Sequence, residues 1–205
     1  MHKEILTRAQ IRLLPLVKKF KKSFGLVGGT AAALQIGHRR SVDFDLFSSK
    51  KISRNAIREV ILEHAKIQTI LVDQQEEYTL VVGGVKLTFY YYPFQVAYPK
   101  RLEDIITMAD LATVAAMKAY ALGRRAKWKD YIDLFFILKD FHPLPEVALR
   151  AKKVFGVEFN EKIFRSQLAY FRDIDYSEKI EFMPGYAVSD AAVRRALRKF
   201  SVQDA

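Results

Sequence analysis

The hydrophobic pattern changes period once along the chain, and that change limits the folds open to it. Between Phe24 and Tyr92, apolar residues fall in short runs or alternate with polar ones between glycine turns. From Leu102 onward they recur at helical spacing, over roughly 102–106, 110–123, 128–140, 145–154, 160–171 and 190–200. Short strands followed by helices describe an α+β chain. We divide it into a core with an N-terminal helix over 1–100 and a helical domain over 101–205.

Within the first part the elements are individually readable. Ile5, Leu6, Ala9, Leu13, Leu14, Val17 and Phe20 mark an amphipathic helix over 3–22, which Pro15 should kink or split. Phe24–Val27 reads as a strand that turns at Gly28-Gly29 into a helix, with Thr30 as its N-cap and Gly37 at its end. Ser41–Phe47 alternates, with Val42, Phe44 and Leu46 on one face and Ser41, Asp43 and Asp45 on the other. A helix over 53–65 and a strand over 67–72 follow. Gly83-Gly84 then joins two strands into a hairpin.

With 205 residues, half of them hydrophobic, the chain can bury a substantial core. It has no cysteine, which excludes disulfides and thiolate metal sites. Lys18, Lys19, Lys21 and Lys22 interrupt any signal-peptide core, and no stretch approaches the ~20 apolar residues of a membrane span. A soluble cytoplasmic protein with no membrane partner is the expectation. The net charge of +11 is uneven: +10 over residues 1–58, −4 over 59–117 and +5 over 118–205. A polyanion such as RNA is one explanation, because Lys and Arg gain affinity by displacing phosphate counterions. A solvated basic helix is the other.

Two clusters carry chemistry. Asp43 and Asp45 sit at i and i+2, so a strand places both carboxylates on one face, ~6.5–7 Å apart. Such a pair can hold hard cations such as Mg²⁺ or Mn²⁺, although a lone D-x-D is also an ordinary polar strand edge. Gly28, Gly29 and Thr30 form a strand-to-helix turn whose amides can approach a phosphate, although tight turns are common. The two motifs lie within eighteen residues of each other, which is more informative than either alone. His38 and Arg39, just before the aspartates, could meet a triphosphate or simply form a surface turn.

The run Gly28-Gly29-Thr30-Ala31 to Gly37-His38-Arg39-Arg40-Ser41-Val42-Asp43-Phe44-Asp45-Leu46-Phe47 closely resembles the AbiEii/AbiGii toxin family. That family belongs to the DNA polymerase β-like nucleotidyltransferases. The resemblance continues at Asp110–Ala119 and Arg124–Leu134, and no motif is assigned beyond residue 140. It implies a mixed sheet flanked by helices, with the helical C-terminal part completing a cleft. It implies phosphate binding at Gly28, Gly29 and Thr30, and a metal pair at Asp43 and Asp45. It also implies a phosphate-contacting lysine at Lys118 and a late acidic residue needed for activity at Asp130. His38, Arg39 and Lys129 complete the candidate nucleotide contacts. Lys118 lies in an otherwise apolar helix, so its ammonium needs a partner or must reach solvent. Asp133 shares a helix face with Asp130 and is expected in salt bridges with Arg124, Arg125 or Lys129.

One position departs from the superfamily pattern. Where a third carboxylate is expected, on the second hairpin strand, stands Thr88, and no Asp or Glu occurs between Glu77 and Glu103. A hydroxyl is a poor general base and a poor Mg²⁺ ligand. Asp130 could substitute, Asp73 could reach in, or the protein could bind a nucleotide without turning it over. The resemblance implies Mg²⁺-dependent transfer of NMP from an NTP to RNA, such as a tRNA 3′ end, by the toxin of a toxin–antitoxin pair. Transfer to a small molecule, and a silent nucleotide- or RNA-binding module, are the alternatives.

Overall fold

A computed structural model describes residues 1–122 and 124–203, and the chain divides into two compact units, Met1–Asp110 and Leu111–Ala205. The first unit is built on a mixed seven-stranded sheet. Its strands are β1 (Gly25–Val27), β2 (Phe44–Ser48), β3 (Ile67–Asp73), β4 (Glu77–Val82), β5 (Val85–Tyr91), β6 (Lys100–Leu102) and β7 (Ile106–Met108), in the order β3-β4-β5-β2-β1-β7-β6. β2 runs parallel to β5 and β1 parallel to β7, while the remaining neighbours are antiparallel. Three helices accompany it: α1 (Arg8–Lys19), α2 (Gly28–Ile36) and α3 (Arg54–Leu62).

Alternation sets the two faces of the central strands. Phe44 and Leu46 of β2, with Leu87 and Phe89 of β5, are fully buried on one face. Phe20 and Phe24, at and beyond the end of α1, stack edge-on against Phe89 at 4.7 and 5.3 Å. The half-buried residues Asp45, Phe47, Lys86, Thr88 and Tyr90 occupy the opposite face. Gly83 and Gly84 turn the β4–β5 hairpin, both at positive φ, as a two-residue loop matching the strand twist requires.

Several local expectations are corrected. Pro15 does not split the helix, since α1 runs continuously through it. The carbonyl that Pro15 leaves without an amide belongs to Ile11, which is half exposed to water. The break comes earlier, where Thr7 and Gln10 form a reciprocal capping box and only a 3-10 turn precedes it. Residues 102–106 are not a helix. Glu103 turns at φ 48°, and β6 and β7 pair on either side of it at the edge of the sheet. Ladder hydrogen bonds, which the local sequence does not encode, override the helical spacing there. Val42 does not join Phe44 and Leu46 on the buried face; it is exposed, and β2 begins two residues later.

The second unit is helical: α4 (Leu111–Leu122), α5 (Trp128–Asp140), α6 (Leu144–Phe155), α7 (Glu161–Ala169) and α8 (Asp190–Ser201). α4 packs on α5, α6 and α7, and α8 packs on α5 and α7. No helix among the described residues is long and apolar enough to cross a membrane.

Candidate active site

In the first unit the glycine turn and the aspartates meet. Val27 of β1 pairs with Asp45 of β2, so the next residue, Gly28, stands beside the Asp45 carboxylate. Gly28 has φ 70°, and a Cβ there would collide with Asp45 Oδ2. The helix starts at Gly28 itself, with Val27 as an N-cap that offers no side-chain hydrogen bond. Thr30 is therefore not the N-cap. Its hydroxyl donates to the Asp43 carbonyl and lies 3.0 Å from Ser41 Oγ. It ties the loop that carries Asp43 to the first turn of α2. From the other side the buried Gln10 amide donates to the Ser41 carbonyl at 2.8 Å. The first amides of a helix lack intrahelical partners, so Gly28 and Gly29 open a turn suited to an anion.

His38 and Arg39 are not in a surface turn; they are 0% and 4% exposed. The Arg39 guanidinium lies against Gly29, where a Cβ would crowd it, and donates to the Arg40 carbonyl at 2.9 Å. It sets a cation under the N-terminus of α2.

Across the sheet, Asp45 pairs in register with Thr88 and Phe44 with Leu87. Lys86, two residues before Thr88 and on the same face, reaches Asp43 Oδ2 at 2.8 Å. Lys86 and Thr88 thus show that both aspartates belong to one face. The sequence reading missed Lys86. Its alternation with Thr88 was visible, but the parallel β2–β5 pairing that brings it to Asp43 was not. Asp73 is removed as a third ligand: it ends the edge strand β3, three strands from β2 and so about 14 Å away, and pairs with Arg54. Among the described residues no group of three or more His, Asp or Glu side chains is gathered for a metal. The donor set is two hard carboxylates, Asp43 and Asp45, of a kind that fits a divalent ion such as Mg²⁺.

The second unit gathers the other candidates. Lys118 of α4 is buried and places Nζ 2.6 Å from Asp130 Oδ1 and 2.7 Å from Asp133 Oδ2, both on α5. Arg125 adds an ion pair to Asp130 Oδ2 at 3.2 Å. Burial pushes the Asp130 carboxyl up, but Lys118 and Arg125 outweigh it and hold it below the usual aspartate range. Lys118 does not snorkel, and it bridges Asp130 and Asp133. Arg124 turns to Glu158, while Lys127 and Lys129 share Glu178. Burial raises Glu178, yet those two ammonium groups bring it down to about 2.

A sheet of this order, with a glycine turn set against paired carboxylates, defines a nucleotidyltransferase fold. The chain is similar in structure to MenT4, a nucleotidyltransferase toxin from Mycobacterium tuberculosis H37Rv, with a TM-score of 0.63 and 15% identity over 95% of this chain and 82% of that one. It is also similar to JHP933 from Helicobacter pylori, with a TM-score of 0.54 and 18% identity over 98% and 88% of the two chains. Residues 16–200 match the family described as nucleotidyl transferase AbiEii toxin, type IV TA system. The chain belongs to this AbiEii toxin family. An uncharacterized protein of Aquifex aeolicus (strain VF5) is 31% identical over 156 residues, 73% of this chain and 74% of that protein.

Proposed function

We propose that the protein moves a nucleoside monophosphate from an NTP to a hydroxyl of RNA, a tRNA 3′ end, as the cytoplasmic toxin of a toxin–antitoxin pair. The observation carrying this reading is the Gly28 turn set against Asp45, which brings the first amides of α2 beside an aspartate of the D-x-D pair. In this reading Gly28, Gly29 and the Arg39 cation bind the triphosphate. Asp43 and Asp45 would hold Mg²⁺ or Mn²⁺, which would supply charge neutralisation for the phosphates. The acceptor oxygen bonds to the α-phosphorus, the bond to the β-bridging oxygen breaks, and pyrophosphate leaves. The hydroxyl proton passes to Asp43 or Asp45, since Thr88 cannot accept it. The family resemblance supports a requirement for Lys118 and Asp130.

Thr88 favours one second reading, a module that binds nucleotide or RNA without turnover. Incubation with α-³²P-NTPs, total RNA and Mg²⁺ decides between them. Label enters RNA with the wild type and not with Asp43→Asn on the first reading. Undiminished transfer by that variant sinks the site assignment, and nucleotide binding without any transfer supports the silent module.

A further inference from the structure

Within the second unit, residues 170–189 join α7 to α8 with neither helix nor strand. Connections longer than about 12–15 residues without such elements are uncommon in compact domains and usually functional. This one is pinned to the start of α5: Trp128 N–H donates to the Asp175 carbonyl at 3.0 Å, and Asp175 N–H to the Ala126 carbonyl at 2.8 Å. The pinning brings the Tyr176 ring to 5.3 Å from that of Trp128. From α8, Arg194 donates to the Tyr176 hydroxyl at 2.6 Å. Its guanidinium lies 5.5 Å from the Tyr176 ring centre and 5.6 Å from that of Trp128. Those three distances make a nearly equilateral triangle, so Trp128 and Arg194 approach Tyr176 from the same side. The ring keeps 42% exposure, which a ring serving only to fill a core would not.

The charges around that ring are one-sided. Arg194, Arg195, Arg198 and Lys199 follow one another at helical spacings of three and four on α8, and Arg198 lies 5.3 Å from the Phe171 ring. None of the four pairs with a carboxylate among the described residues. The acids nearby are engaged elsewhere: Glu178 by Lys127 and Lys129, Asp190 by the Trp128 indole, and Asp175 by the Ser177 amide. Asp173 is the one exposed acid of the connection left outside such contacts.

We propose that this face of the second unit binds single-stranded RNA, with an unpaired base stacked on the exposed side of Tyr176 and adjoining phosphates on Arg195, Arg198 and Lys199. The inference rests on the RNA reading above and deepens it by naming the surface that holds the acceptor. An aromatic face accepts any base, and cations beside it follow the backbone, so the pairing suits an unpaired strand. Arg194 is a positioning residue: by holding the Tyr176 hydroxyl it fixes the ring in advance, so little side-chain freedom is lost on stacking.

The test is titration of the full chain with a short unstructured RNA strand, followed by anisotropy of the labelled RNA and by protein fluorescence. Trp128 is the chain's single tryptophan and touches Tyr176, so a base stacking there quenches its emission. Tyr176→Leu weakens binding at least about fivefold at every salt concentration and leaves the salt slope unchanged, because stacking neutralises no phosphate. Tyr176→Phe keeps the ring and binds like the wild type. Undiminished binding by Tyr176→Leu, absence of Trp128 quenching, or equal competition by a duplex of the same sequence overturns the proposal. Should Tyr176→Leu fail to fold, the quenching and the duplex competition decide. If the platform fails while the wild type still transfers label to RNA, the transferase reading stands without it. If the wild type neither binds nor labels RNA, the RNA reading falls and the platform with it.

Discussion

The buried cluster of Lys118, Asp130, Asp133 and Arg125 shows what single residues hold in this chain. Removing two carboxylates and an ammonium from water is expensive, and their mutual attraction repays it only with close geometry. Contacts of 2.6 and 2.7 Å meet that condition. Breaking the cluster from one side leaves charge stranded, so Lys118→Met should lower stability by about 3–5 kcal/mol in urea unfolding. Replacing Lys118, Asp130 and Asp133 together by Met, Leu and Leu should recover most of that loss. Failure to recover would mean that these charges shape the unit in some other way. The lowered Asp130 carboxyl fixes the sign of the acid response. Its stabilisation is present above the ordinary aspartate range, near pH 4, and is lost as pH falls through the lower folded value. The sequence marked Lys118 and Asp130 through family resemblance, and their i and i+3 geometry put Asp130 with Asp133. That the lysine bridges both required tertiary packing of α4 on α5, which no local pattern encodes.

At the scale of elements, the features that could be read were those whose signal is local. The Gly83-Gly84 hairpin and the later helices announce themselves through turn chemistry and period. The β6–β7 pair does not, because its strands are three residues long and stabilised by the sheet edge. Nor could the parallel neighbouring of β2 and β5, which lie about forty residues apart, be derived from either strand. The glycine turn is intermediate: its presence was plain, but its contact with Asp45 follows from the β1–β2 register. Two substitutions separate backbone strain from that contact. Gly84 has φ 76° with nothing within 4 Å of an added Cβ, so Gly84→Ala should lose only about 1 kcal/mol and leave nucleotidyl transfer intact. Gly28→Ala adds a collision with the Asp45 carboxylate to similar strain. It should lower transfer at least about a hundredfold while destabilising the fold by about 1–3 kcal/mol. Equal activity in the two variants would show that Gly28 is only a turn residue.

For the whole molecule the question is where the net charge of +11 is available to a polyanion. Sequence counting puts the excess in residues 1–58, but packing consumes part of it. Lys18 and Lys21 both hold Asp104, drawing its carboxyl down to about 2, while Lys3 takes Glu103 and Arg54 takes Asp73. On α8, by contrast, Arg195, Arg198 and Lys199 are exposed, and none of them enters a described ion pair with a carboxylate; the same holds for Lys152 and Lys153 on α6. If RNA is the acceptor, these C-terminal cations are better placed to displace counterions than the paired Lys18 and Lys21, while Arg8, Arg12, Lys19, Lys22, Lys50, Lys51 and Arg58 are likewise exposed outside described carboxylate pairs. For single-stranded contacts, log K falls with log salt at a slope of about −0.7 per phosphate neutralised. Removing Arg195, Arg198 and Lys199 together should make the slope shallower by about 2 when tRNA binding is followed by fluorescence anisotropy between 50 and 200 mM KCl. Replacing Lys18 and Lys21 with Ala should change the slope much less, because Asp104 already neutralises them in the free protein. A larger effect from the Lys18 and Lys21 pair than from the α8 triple would place the RNA surface on the first unit and overturn this ranking.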